Sequence, residues 1–191
     1  MKKLVLICTV SLFMYACNDQ ATGDTNATAD SAVAAAAITY PYTASYSSSF
    51  TMGNPGHCKI VLDLWKHWDN NTLDQGSGLF ADSVTMQLAD GSVMSGPRDS
   101  ILAGAKQYRS QFKSVQSTVI AFVPMKSTDK GENWVNVWGR EFREDMNGKK
   151  DSSALMESWR LNNDGKINFM VQYDAKLWPT PPSSVIDINA N

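Results

Sequence analysis

Cysteine and histidine are the scarce residues of this chain, three and two among 191. Three cysteines cannot build a disulfide framework, and two histidines leave little for a metal site with several protein ligands. An excess of charge of one sign is missing as well. With 17 basic against 19 acidic side chains the formal net charge is −2, which excludes a basic nucleic-acid footprint. The sequence has no Gly-rich phosphate loop, no metal-spaced Cys/His cluster and no Gly-x-Ser-x-Gly, so neither a metal nor a nucleotide cofactor is predicted. Lysine and arginine are absent between Lys3 and Lys59, which sets the N-terminal quarter apart from the rest. What the chain does have is apolar mass. Hydrophobic residues make up 43% of it, with six tryptophans, enough for the core of one ordinary domain.

Lys2 and Lys3 precede an apolar stretch, Leu4 to Tyr15, that is too short to span a bilayer. It stops at Ala16-Cys17, a small residue followed by cysteine. Residues 1–16 resemble the signal peptide of bacterial lipoproteins, with Met14 standing where leucine is usual. The resemblance implies removal of that peptide and lipidation of Cys17, which would hold the protein at the cell envelope through its acyl chains. Asn18 is not the aspartate associated with inner-membrane retention, so the outer membrane is favoured. With Cys17 lipidated, Cys58 has no partner for a disulfide and reads as a half-buried structural thiol.

Residues 17–55 continue as a segment rich in Ala, Ser and Thr, with three aspartates and no cation. Such a composition offers too little bulky apolar area to offset chain entropy, and it predicts a disordered tether. Tyr40, Tyr42, Tyr46 and Phe50 interrupt it and leave two readings open: docking as an edge strand, or a sticky linker. Asp30-Ser31-Ala32 resembles a bacterial O-glycosylation acceptor.

From residue 56 the texture is that of a folded domain, ending near residue 178. Val61, Leu64, Trp65 and Trp68 recur at helical spacing and predict an amphipathic helix over His57–Asn70. Leu73 and Leu79-Phe80 suggest a shorter helical piece. Val84, Met86 and Leu88 alternate up to Asp90-Gly91, a type I′ hairpin signal, and Val93-Met94 return. Gly96-Pro97 opens a second helix, whose apolar face is Ile101, Leu102, Ala105, Tyr108 and Phe112. Long strands follow over Val115–Ser127, Trp134–Glu144, Ser153–Leu161 and Ile167–Ala175, with Pro124 implying an edge or a bulge. Pro179-Thr180-Pro181-Pro182 ends regular structure, and residues 179–191 read as a loose tail. Helices, a hairpin, a helix and a meander make an α+β domain, in which a strongly curved antiparallel sheet wraps around its N-terminal helices.

Leu79-Phe80-Ala81-Asp82-Ser83-Val84, Asp90-Gly91, Gly96, Trp159-Arg160-Leu161, Asp164-Gly165-Lys166-Ile167 and Tyr173-Asp174 together resemble the SnoaL-like branch of the nuclear transport factor 2-like superfamily. The resemblance covers nearly all of residues 56–178. It implies a cone-shaped fold enclosing a pocket, often in a homodimer. Its members range from polyketide cyclases and ketosteroid isomerases to association domains, so it leaves the function open.

Within 153–161, Leu155, Glu157, Trp159 and Leu161 share one face by period two, and their bulk points it inward. Glu157 is then a carboxylate in an apolar row that must be protonated, hydrogen-bonded or paired. The resemblance puts it at the strand position where isomerases carry a protonated acid and cyclases an acid–base aspartate. The isomerase tyrosine position falls near Leu64 or Trp65, the base position falls on Leu88, and the cyclase histidine has no counterpart. On the next strand Asn136, Trp138 and Arg140, flanked by Trp134 and Phe142, could line the pocket, with Arg140 a candidate counterion for Glu157. The opposite row, Val135, Val137 and Gly139, is the other choice for the inner face. Trp159, Phe169, Tyr173 and Tyr108 are candidate pocket walls or core, Asp63 and His67 a surface pair, and Glu141, Arg143, Ser158 and Arg160 outer-face residues.

Three functions follow as expectations. One is a lipoprotein whose pocket binds a small, mainly apolar molecule. Another is a cofactor-independent lyase, isomerase or hydrolase using Glu157 as acid or base. The third is a dimeric assembly module with a filled pocket.

Overall fold

The computed structural model describes residues 38–176. The expected signal peptide, Cys17, Asp30-Ser31-Ala32 and the tail at 179–191 lie outside the described residues. The chain divides at Pro41/Tyr42, and of the first unit only residues 38–41 are described.

Helix α1 (Pro55–Asp69) starts where Asn54 accepts the backbone N–H of Gly56 through its side chain, with Pro55 in the first turn. It buries Cys58, Val61, Leu64 and Trp65. A 3-10 turn (Leu73–Leu79) leads into β2 (Phe80–Gln87), which hairpins into β3 (Val93–Pro97). Helix α2 (Arg98–Arg109) begins after Pro97, which is the N-cap residue rather than the first helical one. The long strands β4 (Phe112–Ser127), β5 (Asn133–Asp145), β6 (Lys150–Leu161) and β7 (Ile167–Lys176) complete the meander.

The seven strands lie in the order β1-β4-β5-β6-β7-β2-β3, where β1 is Phe50–Met52. All pairs are antiparallel except β2 with β7, a parallel join that brings the first hairpin back beside the last strand. The result is a curved, unclosed α+β cone. The Asp90-Gly91 turn differs from its type I′ expectation. Leu88 and Ser92 close a three-residue loop in which Gly91 alone has positive φ, 85°, and the Asp90 carboxylate accepts the Ser92 N–H. A loop of this length ends in one left-handed residue, so aspartate stays in an ordinary conformation.

The last stretch of the expected tether belongs to the domain. Phe50, Thr51 and Met52 pair with Ser127, Lys126 and Met125 of β4. Tyr46 donates its hydroxyl to Glu132 at 2.8 Å, and Asp129 accepts from both Ser47 and Ser127 at 2.6 Å. Polar side chains, rather than apolar area, hold this edge. Tyr42 stays exposed. Pro124 lies just beyond the end of β1, and its carbonyl accepts the Gly53 N–H. Asp63 pairs with Lys59 at 2.6 Å, not with His67, whose ring bonds the Thr72 hydroxyl at 2.9 Å. A lysine one turn away on the same helix face is an ordinary partner for a carboxylate. Cys58 is buried, and burial pushes its thiol pKa up, as suits an inert packing residue.

Candidate functional site

The inner face of β5 is set by what lies against it. Val135, Val137, Gly139 and Glu141 are buried there, and directly paired residues of antiparallel strands share a face. Val135, Val137 and Gly139 are small because α1 carries the bulk. A Cβ on Gly139 would sit 2.7 Å from two ring carbons of Trp65 and 2.9 Å from the Thr118 carbonyl, so only glycine lets the indole lie on the strand.

Between α1, α2 and the inner sheet the side chains leave a cavity of about 440 Å³. Its deep wall is aromatic and aliphatic: Trp65, Trp68, Leu73, Met86, Leu155, Trp159 and Met170. Asp90, Tyr108 and Asp174 are exposed members of its lining and mark the rim. Polar groups between them are Ser117, Glu141, Arg143, Glu157 and Gln172.

Glu157 is 5% exposed. Its Oε2 accepts the indole N–H of Trp65 at 2.7 Å and of Trp159 at 3.0 Å, and its Oε1 accepts Gln172 Nε2 at 2.7 Å. Burial raises its pKa above the ordinary value, against the three donors, which favour the charged form, and with a further push from Glu141. Glu141 is buried as well and takes the Trp68 indole N–H on Oε2. Burial raises its pKa too, opposed by the Trp68 bond and by Arg143, whose Nε lies 3.4 Å from Oε1. Arg143 also reaches the Tyr108 hydroxyl at 3.4 Å and Ser153 at 3.2 Å. A buried carboxylate held only by donor-only indoles and one amide can accept charge or hydrogen-bond a partner; it has no neighbour that fixes its charge.

Of the expected pocket residues, Glu157, Trp159 and Tyr108 line the cavity. Asn136, Trp138, Arg140 and Tyr173 do not. They stand on the opposite, outer face, where Trp138 pairs with Met156 and Met156 with Tyr173. Arg140 is exposed there and cannot serve Glu157. The error is one of face: β5 is apolar on both sides, and the larger side chains lie outside because α1 already occupies the inside. On β7 the register shift next to Leu161 puts Met170, Gln172 and Asp174 inward and Phe169 and Tyr173 outward. Glu141 and Arg143, expected outside, therefore face in. Sequence reasoning allowed a tryptophan as a partner of Glu157 but did not single out Trp65, nor Trp68 for Glu141, and it missed Gln172. The signal for the tryptophans was present, since Trp65 and Trp68 were already on the apolar stripe, and a buried indole N–H needs an acceptor.

Among the described residues no cluster of three or more His, Cys, Asp or Glu is arranged to hold a metal. No family model matches the sequence, and no curated protein does. Solved structures do. An NTF2-like protein of unknown function from Exiguobacterium matches at a TM-score of 0.51 and 17% identity, over 63% of this chain and 99% of its own. AusH from Aspergillus nidulans matches at 0.52 and 11%, over 65% and 87%. A putative ketosteroid isomerase from Kribbella flavida matches at 0.51 and 11%, over 69% and 86%. At these identities the likeness is one of fold, the NTF2-like, ketosteroid isomerase-like cone.

Proposed function

We propose that this chain is a cell-envelope lipoprotein, anchored through lipid on Cys17 and favouring the outer membrane, whose cone pocket binds a small, mainly apolar molecule. The observation that carries the binding half is the cavity of about 440 Å³ with an aromatic deep wall and a few convergent polar groups, the size and character of a small-ligand site. An assembly module with a filled pocket has no such cavity. Native mass spectrometry of the full chain in detergent, against a panel of small apolar molecules, tests it. Leu155→Trp, which places an indole in the cavity, is expected to abolish every adduct while the fold persists. Adducts that survive the substitution would remove the cavity from the reading. The anchor is supported by the Lys2-Lys3, apolar stretch and Ala16-Cys17 pattern alone. Metabolic palmitate labelling is expected in the wild type and absent in Cys17→Ala, and label retained by the variant would defeat it.

A second reading, a cofactor-independent lyase, isomerase or hydrolase, is favoured by one observation. Glu157 is a buried acid of raised pKa beside an open cavity, with a single donor on Oε1. It lacks a partner: Leu88 occupies the base position, and neither histidine lines the cavity.

The partner proposed for the outer face is a second copy of the chain. Its two central rows, Ala121–Trp138–Met156–Tyr173 and Val123–Asn136–Ser158–Val171, contain no charged residue, so the face can meet itself across a two-fold axis without like-charge repulsion. Light scattering after gel filtration is expected to give twice the chain mass for wild type and the single-chain mass for Trp138→Glu. A monomeric wild type at micromolar concentration would end the proposal.

A further inference from the structure

The cavity has more acid groups than cations to pair with them. Four carboxylates line it, Glu141, Glu157, Asp90 and Asp174, against one cation, Arg143. Arg143 stands 3.4 Å from Glu141 through a buried Nε that makes no hydrogen bond, and 3.7 Å from Asp151 through Nη2. Among the described residues, no Lys, Arg or His pairs with Glu157, Asp90 or Asp174. Glu157 has only neutral donors, and Oε1, with one of them, keeps an acceptor position free.

We infer that the cavity takes an organic amine, its protonated nitrogen donating to Glu157 Oε1 and its apolar body lying among Trp65, Trp68 and Trp159. The inference rests on the reading of the cavity as a ligand site and names the class of ligand. Three features act in the same direction. An ammonium supplies the counterion that Glu157 lacks, in a site where an uncompensated carboxylate is costly. Indole and phenol faces attract cations through their quadrupole, most strongly where water is excluded. Asp90 and Asp174 at the rim attract a cation and repel an anion on approach. A carbonyl ligand would need the opposite state, a Glu157 that keeps its proton and donates it. The two ligand classes therefore have opposite pH dependence. Amine affinity rises as Glu157 ionises and binding below that transition releases a proton; carbonyl affinity falls over the same range. Glu141, Asp90, Asp174 and Arg143 face the same space, and Asp69 and Arg109 stand near Glu141, so the window is read from the difference between wild type and Glu157→Gln.

Calorimetric titration of the full chain with phenethylamine, phenethyl alcohol, benzylacetone and hydrocinnamate compares a cationic, a neutral, a carbonyl and an anionic end on one apolar body. The amine is expected to bind at least tenfold tighter than the alcohol and the carboxylate weakest. Repeating the titration in buffers of different ionisation enthalpy should show proton release for the amine alone. Glu157→Gln should weaken the amine about tenfold and leave the alcohol unchanged. Benzylacetone or the alcohol binding tightest would overturn the amine and leave the ligand site standing. Failure of all four to bind would overturn both.

Discussion

Arg109→Met is expected to lower the unfolding free energy by about 3–4 kcal/mol, although Arg109 itself does not line the cavity. Arg109 is 3% exposed, and its guanidinium donates to three backbone carbonyls: Trp68 at 2.8 Å, Asp69 at 3.0 Å and Phe112 at 2.9 Å. The first two are the last carbonyls of α1, where the helix has no donors of its own and carries its negative end. Trp68 O keeps a second bond from the Asn71 N–H, so methionine would leave the carbonyls of Asp69 and Phe112 short of a donor. A buried acceptor without a partner costs about 1–3 kcal/mol. The positive charge matters as well. Burial lowers the Arg109 pKa, Asp69 and Glu141 oppose that, and removing the cation leaves the buried Glu141 with Arg143 alone. Arg109→Lys keeps the charge and loses the planar fork, so it should recover roughly half the loss. Urea denaturation followed by tryptophan fluorescence measures all three proteins. A loss under about 1 kcal/mol for methionine would mean that water replaces the guanidinium and that the end of α1 is not clamped. Because Trp68 sits in the clamped turn and bonds Glu141, the same variant should loosen the cavity wall.

What could be read in advance divides by the range over which each residue is constrained. The order of elements was legible because each is patterned locally: the Val61/Leu64/Trp65/Trp68 stripe makes a helix, Leu155/Glu157/Trp159/Leu161 an inward strand row, and the glycines the turns between strands. The inward position of Glu157 followed from its own neighbours. Its partners did not. Trp65 lies 92 residues away and Gln172 on the next strand, and which face Gln172 takes depends on the irregularity between Arg160 and Leu161 that the period-two rule does not contain. The choice between the two faces of β5 depended on α1, a non-local fact: Gly139 is small because Trp65 needs its space. Ser47–Met52 misled for another reason. Its composition is that of a tether, and it is held by hydroxyl–carboxylate bonds and an edge ladder, which leave no hydrophobic pattern.

Glu157→Leu and Glu157→Gln are expected to separate the two things that the carboxylate does. Leucine removes the acceptor for Trp65, Trp159 and Gln172 together. Three buried donors at about 1–3 kcal/mol each are offset in part by apolar burial and by the loss of a carboxylate that was costly to desolvate, leaving a net loss of about 2–4 kcal/mol. Glutamine is different. Both indoles bond Oε2, so one amide oxygen can serve both, while the new NH₂ faces a Gln172 whose amide turns over to accept it. At pH near the ordinary carboxylate value its cost should be within about 1 kcal/mol. The comparison then gains its force from pH. The folded pKa of Glu157 is raised by burial, so the unfolded chain gives up this proton first as pH rises. The stabilisation from holding the proton is complete below the unfolded value and is lost as pH climbs through the folded one, at about 1.4 kcal/mol per unit within the window. Wild type should therefore weaken relative to glutamine from about pH 4.5 upward until the folded pKa is passed, and the difference should be flat beyond it. Glu141, shifted in the same direction, slopes both proteins alike and largely cancels. Urea midpoints of the pair across that range provide the measurement. A wild-type-minus-glutamine difference that stays level would mean that the indoles and Gln172 hold the group ionised throughout. The carboxylate would then be an anion over the whole range, which would end its reading as a proton-donating acid and leave it the roles of a base or of a partner for an ammonium.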